Sequence, residues 1–158
     1  MTGDLAPIIG IIEACADLAA FVDANFGRPL TVKPGFRRRD EIGLDELPII
    51  RVTRPRRRTD KTGLRVGANH YITYRLYAGI YHESPEEATA LMLEMEDILT
   101  DLFINNEVTL GLLEEATSAN DEGTLPPAHF LVMDVTFRVV ATNGYPFADS
   151  QKPFRGQI

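Results

Sequence analysis

The sequence predicts an α+β fold, a mainly antiparallel or mixed β-sheet of about four to five strands with two main helices packed on it and a long protruding β-hairpin. Residues 71–82 and 129–140 alternate apolar and polar side chains, as half-buried strands do. Between them, residues 84–106 repeat apolar side chains every three or four positions, which is typical of an amphipathic helix. Because a helix with one apolar stripe needs a flat surface to cover, we expect this helix to lie across the sheet.

The N-terminal part of the chain predicts one helix and one short strand. A helix is expected over residues 4–25, with Pro7 near its start and Cys15 at an apolar position, as a small buried side chain. Residues 29–33 are a candidate strand that a Pro-Gly turn ends. A single cysteine excludes an intramolecular disulfide.

A long β-hairpin is expected next. Its first arm is residues 48–53, and strand character resumes near Leu64 or Asn69. The basic residues between the arms are predicted to form a tip that extends beyond the sheet. In the second arm, one face is apolar and the other carries Tyr71, Thr73, Arg75, Tyr77 and Tyr81. An aromatic and polar face of this kind suits contact with another subunit.

The central helix has a predicted cap at its N-terminus. Ser84 is the expected N-cap, Pro85 takes the first helical position, and Glu87 completes a capping box. After the helix, residues 107–113 are a candidate strand and residues 114–128 an acidic loop. In the last strand the side chains expected to face inward are Leu131, Met133, Val135, Phe137 and Val139, with Asp134, Thr136 and Arg138 opposite.

The chain is expected to form one domain over residues 1–140, followed by a C-terminal arm over residues 141–158. The arm has no apolar period, and its candidate anchors on a neighbouring molecule are Tyr145, Phe147 and Phe154. A frayed terminus is the alternative. Acidic residues interrupt the longest apolar stretch and no secretory signal pattern is present, so we expect no membrane partner and folding in the cytoplasm.

Charge is segregated along the chain. Residues 33–66 carry eleven basic and five acidic side chains, a net charge of +6. The remaining residues carry five basic and eighteen acidic side chains, a net of −13, so the whole chain has −7. Such a bipolar molecule suits charge-to-charge contact with copies of itself or with a different partner.

The sequence contains no recognisable catalytic constellation. The three histidines have no metal-ligand spacing, and neither a phosphate-binding glycine loop nor a nucleophile elbow is present. The acidic pair Glu86 and Glu87 suits the helix dipole better than acid–base catalysis. We therefore expect no enzyme activity, no cofactor and no metal.

The basic run at residues 54–61 is the strongest candidate for function, and its members are Arg54, Arg56, Arg57, Arg58 and Lys61. Three interpretations are open. The arginines contact phosphates, they form ion pairs with an acidic partner, or they only keep a hairpin tip soluble. A sequence-reading DNA binder is disfavoured by the pI of 4.9 and the lack of a recognition motif.

The order of these parts resembles the tail terminator proteins of tailed bacteriophages and prophages. The resemblance covers residues 49–140 most clearly and includes Y-I-T-Y-R-L-Y-A-G-I-Y, the helix S-P-E-E-A-T-A-L-M-L-E-M-E-D-I-L-T-D-L-F and F-L-V-M-D-V-T-F-R-V-V. It implies a protein without catalytic residues that forms a hexameric ring at the head-proximal end of the tail tube in the virion. The ring stops tube polymerisation and provides the head-joining surface. The implied partners are further copies of the chain, the tail tube protein and a head–tail connector, with genomic DNA passing through the lumen.

We expect the basic run to contact a neighbouring subunit, the tube or DNA. A candidate acidic counter-surface is formed by Glu94, Asp97 and Asp101 on the central helix. Two other interpretations remain open: another head–tail connector or tail completion protein, and a small nucleic-acid-binding module.

Overall fold

A computed structural model describes residues 4–61, 67–121 and 127–142. The elements in chain order are α1 (Ala6–Glu13), α2 (Ala16–Phe26), β1 (Thr31–Pro34), two 3-10 turns (Arg39–Glu41 and Leu44–Glu46), β2 (Ile49–Lys61), β3 (Gly67–Tyr81), α3 (Pro85–Ile104), α4 (Glu107–Leu110), β4 (Leu112–Asn120) and β5 (Ala128–Thr142). The C-terminal arm predicted over residues 141–158 lies almost entirely outside the described residues, including its anchors Tyr145, Phe147 and Phe154.

The strands form one mixed sheet in the order β1-β2-β3-β5-β4. β1 is parallel to β2, and the other three pairings are antiparallel. β3 and β5 lie at the centre and pair over their whole length, from Gly67 opposite Thr142 to Tyr81 opposite Ala128. The predicted α+β fold with a long hairpin is confirmed.

The helices cover one face of this sheet and bury its apolar side chains. From α3 the buried side chains are Ala88, Met92, Met95, Leu99 and Phe103. They meet the apolar faces of β3 and β5, where the ring of Phe103 lies edge-on to Phe137 with centroids 5.8 Å apart. Each large side chain buried in this way contributes about 1.5–3 kcal/mol. The alternation predicted for both central strands is the one observed.

The α3 N-terminus begins as predicted but its capping box is incomplete. The backbone N–H of Glu87 donates to Ser84 Oγ at 3.3 Å. The N–H of Ser84, which a capping box would pair with Glu87, instead donates to His82 Nδ1 at 3.0 Å. The Glu87 carboxylate lies 3.2 Å from His82 Nε2. His82 thus joins the end of β3 to the start of the helix.

The predicted first helix is divided in two. Cys15 has an extended backbone, and its Sγ accepts a hydrogen bond from the N–H of Leu18 at 3.4 Å, so it caps α2. The cysteine is half-buried against the core rather than inside a continuous helix. The turn lets Ile8 and Ile12 of α1 and Leu18 of α2 all reach the same core.

Two predictions after α3 are wrong. Residues 107–113 are mainly the short helix α4, which ends at Gly111 with a φ of +99°. The predicted acidic loop is strand β4 as far as Asn120. β4 is an edge strand whose side chains are exposed except for half-buried Leu113, so it lacks the apolar alternation that marks a strand in sequence.

The basic run is also strand rather than hairpin tip. Residues from Arg56 to Lys61 pair with β3 from Thr73 to Ala68. Pro55 lies within a register shift between Thr53 and Arg56, where a β-bulge accommodates a residue that has no N–H. Residues 62–66, between β2 and β3, lie outside the described part of the chain.

Residues 35–48, which we call the covering segment, lie over one end of the second sheet face, the face opposite the helices. A small core of Ile42, Leu47, Ile49, Tyr77 and Phe130 lies beneath it. Tyr77 stacks on Phe130 with ring centroids 5.2 Å apart. Burial, together with the bond from the Tyr77 hydroxyl to Asp121 at 2.9 Å, raises the pKa of Tyr77.

Candidate interaction surface

The far half of the second sheet face is uncovered and polar. We call this surface the open face; it is formed by Arg56, Arg58, Tyr71, Thr73, Arg75, Asp134, Thr136, Glu114 and Glu115. A shallow groove of about 440 Å³ runs across it from β2 to β4. Its β2 side is basic and its β4 side is acidic.

The bulge at Pro55 determines on which face of the sheet each arginine lies. Arg57 is opposite Ile72, so it lies on the helix-covered face. Arg56 and Arg58 are opposite Thr73 and Tyr71 on the open face. Without the extra residue, the positions would exchange faces, because side chains alternate along a strand.

The arginines differ in their partners. Arg54 pairs with Asp4 at 2.5 Å, and Arg58 pairs with Asp60. The guanidinium carbon of Arg58 also lies 4.2 Å from the centroid of the Tyr71 ring, a cation–π contact. Within the described residues, Arg56 and Arg57 have no ion pair and both are exposed. These two cations are therefore available to a partner.

The floor of the open face is internally paired. Arg75 donates to both carboxylate oxygens of Asp134, at 2.7 and 2.9 Å, and this hydrogen bonding raises the pKa of Arg75. Thr73 and Thr136 share a hydrogen bond of 2.8 Å between their hydroxyls. At the two sides Arg58 pairs with Asp60, and Glu114 lies 3.7 Å from Arg138, so the charges left without an ion pair in the described structure are those of Arg56 and Glu115.

The two sides are also the edges of the sheet. β1 pairs with β2 only over Ile49 to Val52, so residues 53–61 of β2 have a single neighbouring strand in the described structure. We call residues 53–61 the basic edge. β4 likewise has only β5 as a neighbour among the described strands, and we call it the acidic edge. Each edge leaves backbone N–H and C=O groups without a sheet partner.

The predicted acidic counter-surface is a separate feature. Glu94, Asp97 and Asp101 are all exposed on α3, and their spacing places them on one side of that helix. α3 covers the sheet face opposite to Arg56 and Arg58, so one molecule does not bring these groups together. Lys61 ends β2, at the border of the described residues.

Sequence reasoning missed Glu114 and Glu115 as part of this surface. The sequence predicts a loop at these two residues because β4 has no apolar period. Pro55 was the signal that the sequence offered. A proline within a strand indicates that this strand lies at an edge of the sheet. The strand at the opposite edge then has to be sought elsewhere in the chain.

Two of the three histidines are neighbours. His129 Nε2 lies 2.9 Å from the carbonyl oxygen of His82. In the described ranges no group of three or more His, Cys, Asp or Glu side chains could hold a metal ion. No helix in the described part of the chain is long and apolar enough to cross a membrane.

A second groove, of about 660 Å³, lies between the end of α2 and the 3-10 turns, and its lining includes Phe26, Leu44 and Tyr81. Arg28 forms part of its wall and donates to the carbonyl oxygens of Leu44, Asp45 and Leu47. Since this guanidinium holds three backbone groups, its role is structural.

The fold and its surface define an α+β protein with one helix-covered face, one partly open face and two sheet edges of opposite charge. No protein-family model matches the chain, and no curated protein matches it. Among solved structures, a similar chain belongs to one described as "Virion of native gene transfer agent (GTA) particle", with 13% sequence identity and a TM-score of 0.45. The alignment covers 86% of this chain and 93% of that chain.

Proposed function

We propose that this protein is a structural virion component that assembles as a ring, and specifically a phage-type tail terminator. The observation that supports a ring is the pair of oppositely charged edges on opposite sides of one sheet. A ring of identical subunits joined head to tail requires two different, complementary surfaces on each subunit. The finer assignment to a terminator comes from the resemblance in element order.

In this role the ring caps the tail tube, stops tube polymerisation and provides the surface to which the head joins. The partners are the other copies of the chain in a ring of six, the tail tube protein and a head–tail connector, at the head-proximal end of the tail. Genomic DNA passes through the lumen. The contacts come from surfaces, so no catalytic residue is assigned.

The basic run carries the first test. Arg56, Arg57 and Arg58 are replaced together by Ser, and we expect ring formation or tail joining to weaken because the cations that face a partner are removed. Ring content is measured by light scattering and electron microscopy at ordinary salt. Arg38→Ser is the control, since Arg38 is also exposed but lies on the covering segment. Normal rings from the triple variant would contradict this role for the arginines.

The alternative within the particle is a head–tail connector or tail completion protein. Particles that lack the protein separate the two functions. Loss of a terminator leaves tubes of irregular, excess length, whereas loss of a connector leaves tails of normal length that are not attached to heads. Tail lengths measured on electron micrographs give the answer.

A nucleic-acid-binding module is the second candidate, and the unpaired Arg56 and Arg57 favour it. Binding through phosphate contacts weakens steeply with salt, because each neutralised phosphate releases condensed counterions. If this function is the main one, the isolated protein binds duplex DNA with such a salt dependence. A terminator whose arginines contact a neighbouring subunit shows no such binding.

A further inference from the structure

We infer that the basic edge of one subunit pairs with the acidic edge of a second copy, so that the sheet continues from subunit to subunit. The inference rests on the proposed ring and names the contact that forms it. The contact between subunits is then an antiparallel pairing of two strands, and not only an attraction between charged surfaces.

The two edges have matching lengths. The basic edge has nine residues, from Thr53 to Lys61, and β4 also has nine. At about 3.3 Å per residue, each edge is about 30 Å long. The basic edge begins where β1 stops, at the pairing of Pro34 with Val52. β1 therefore sets the limit of the surface that a neighbouring strand can occupy.

The strand directions also match. β2, β3, β5 and β4 alternate in direction because each neighbouring pair is antiparallel. β4 therefore runs opposite to β2. A second copy in the same orientation, as in a cyclic ring, presents its β2 antiparallel to β4 of the first.

The charged side chains fall at the same level of the sheet. Arg56 pairs across to Thr73, Thr73 to Thr136, and Thr136 to Glu115, so these four residues form one row. A second copy placed level with the first brings its Arg56 next to Glu115. A slide by two residues brings Arg58 to the same place and keeps every side chain on its own face.

The position of β1 defines which part of β4 is available. Residues 118–120 of β4 lie level with β1, through β5, β3 and β2. In the level register a neighbouring subunit's β1 would meet these residues, so pairing is expected over residues 112–117. This part contains both Glu114 and Glu115.

The opposite charges of the two edges determine which edges pair. Two basic edges repel each other, as do two acidic edges, whereas a basic edge and an acidic edge attract. Exposed edge strands otherwise tend to pair with any other strand. Opposite charges at the two edges thus favour head-to-tail association, the kind of contact that a cyclic ring requires, over indiscriminate pairing.

Two charge-reversal variants test the pairing. Arg56→Glu changes the basic edge and Glu115→Arg changes the acidic edge, and neither residue has an ion pair within the described structure, so no such contact is lost. Each variant alone places like charges opposite each other and is expected to form at least about tenfold less ring. An equimolar mixture restores rings, because alternating subunits bring Arg56 to Glu115 at one interface and the two reversed residues together at the next.

Mass in solution and class-averaged images are recorded for wild type, each variant and the mixture, with and without tail tubes, after circular dichroism has shown that both variants fold. Wild-type rings together with a mixture that assembles no better than its components would overturn the edge pairing and leave the ring function standing. An absence of wild-type rings, even with tubes, would contradict both.

Amide hydrogen exchange provides a second measurement. On assembly, exchange at residues 112–117 and 53–58 is expected to slow by at least about tenfold, because strand pairing protects backbone N–H groups. Assembly through the acidic side of α3 instead would leave exchange in β4 unchanged, and that result would overturn the inference.

Discussion

At the residue scale, the packing of the covering segment depends on a glycine. A Cβ added at Gly79 would lie 2.4 Å from Cε1 of Phe130 and 3.0 Å from Cδ2 of Leu47. Both neighbours belong to the small core on the second sheet face, where interiors are too close-packed to take an extra methyl group. Gly79 thus allows residues 35–48 to approach the sheet.

Gly79→Ala is expected to lower the free energy of unfolding by about 1–3 kcal/mol, since the aromatic ring above it has to move. Gly10→Ala is the matched control. Gly10 lies inside α1 with nothing within 4 Å of the added Cβ, and alanine there is expected to stabilise the protein by about 0.5–1 kcal/mol. Urea denaturation measures both. An unchanged stability for Gly79→Ala would contradict the close packing of Phe130 and Leu47 against Gly79.

Glu46 makes this segment sensitive to acid. The hydrogen bond from the N–H of Gly43, aided by Arg37 at 3.1 Å and opposed by partial desolvation, lowers the pKa of Glu46 below 4.5. A carboxyl group with a lowered pKa in the folded state stabilises the protein above the unfolded-state pKa, and this contribution is lost as the pH falls through the folded-state pKa.

We therefore expect Glu46→Gln to reduce the loss of stability of the protein below pH ~4.5, because its side chain does not titrate. Denaturation midpoints measured between pH ~3 and ~6 for wild type and variant check this expectation. Parallel curves for the two proteins would show that Glu46 has no part in the acid response.

At the element scale, the strongly periodic elements were predictable and the edges were not. α3, β3 and β5 bury a whole stripe or face, so their apolar residues recur at 3.6 or 2 positions. β4 and the basic part of β2 are strands because their backbones pair with a long neighbouring strand. Their side chains are mostly exposed, so they show no alternation of apolar and polar residues that would predict a strand from the sequence.

The cap of α2 shows another limit of sequence patterns. Cys15 is a poor N-cap in isolation, yet its Sγ accepts from the N–H of Leu18 because α1 and α2 both pack on the same core. Tertiary packing fixed the break between these helices. In the candidate surface, sequence identified the arginines but not their division between two faces, which depends on the bulge at Pro55.

α3 carries acidic residues where the helix dipole disfavours them. Asp101 lies in the last turn before Ile104, and that turn has no basic residue. A negative charge near a helix C-terminus costs about 0.3–1 kcal/mol. A residue that reduces helix stability while remaining exposed is a candidate for partner contact, as proposed for Glu94, Asp97 and Asp101.

Asp101→Lys is expected to raise the free energy of unfolding by about 0.5 kcal/mol and to weaken attachment to a basic partner surface. Glu86→Lys is the control. It makes the same charge change in the first turn of α3, where the dipole favours an acid, so stability should fall. Thermal unfolding and binding to tail tubes, measured on both variants, separate the two effects. Undiminished tube binding by Asp101→Lys would remove this side of α3 from the proposed contacts.

In the whole molecule, the basic and acidic residues that are segregated along the sequence are also partly separated in space. The net charge of +6 over residues 33–66 and −13 over the rest was evident from the sequence. The structure adds that the basic edge and the acidic edge flank one sheet, with β3 and β5 between them. The covering segment in contrast satisfies several of its arginines internally, including Arg37 with Glu46 and Arg39 with Asp121. Only part of the basic charge is thus available for assembly.

We propose that copies of this chain form a ring on a tail tube. The most direct measurement is electron microscopy with class averaging of the purified protein mixed with tail tubes from the same particle. The proposal predicts a six-fold ring at one end of each tube, and no further growth of that end when tube protein is added. Tube ends that remain bare and continue to grow, with the protein left monomeric in solution, would contradict the proposal.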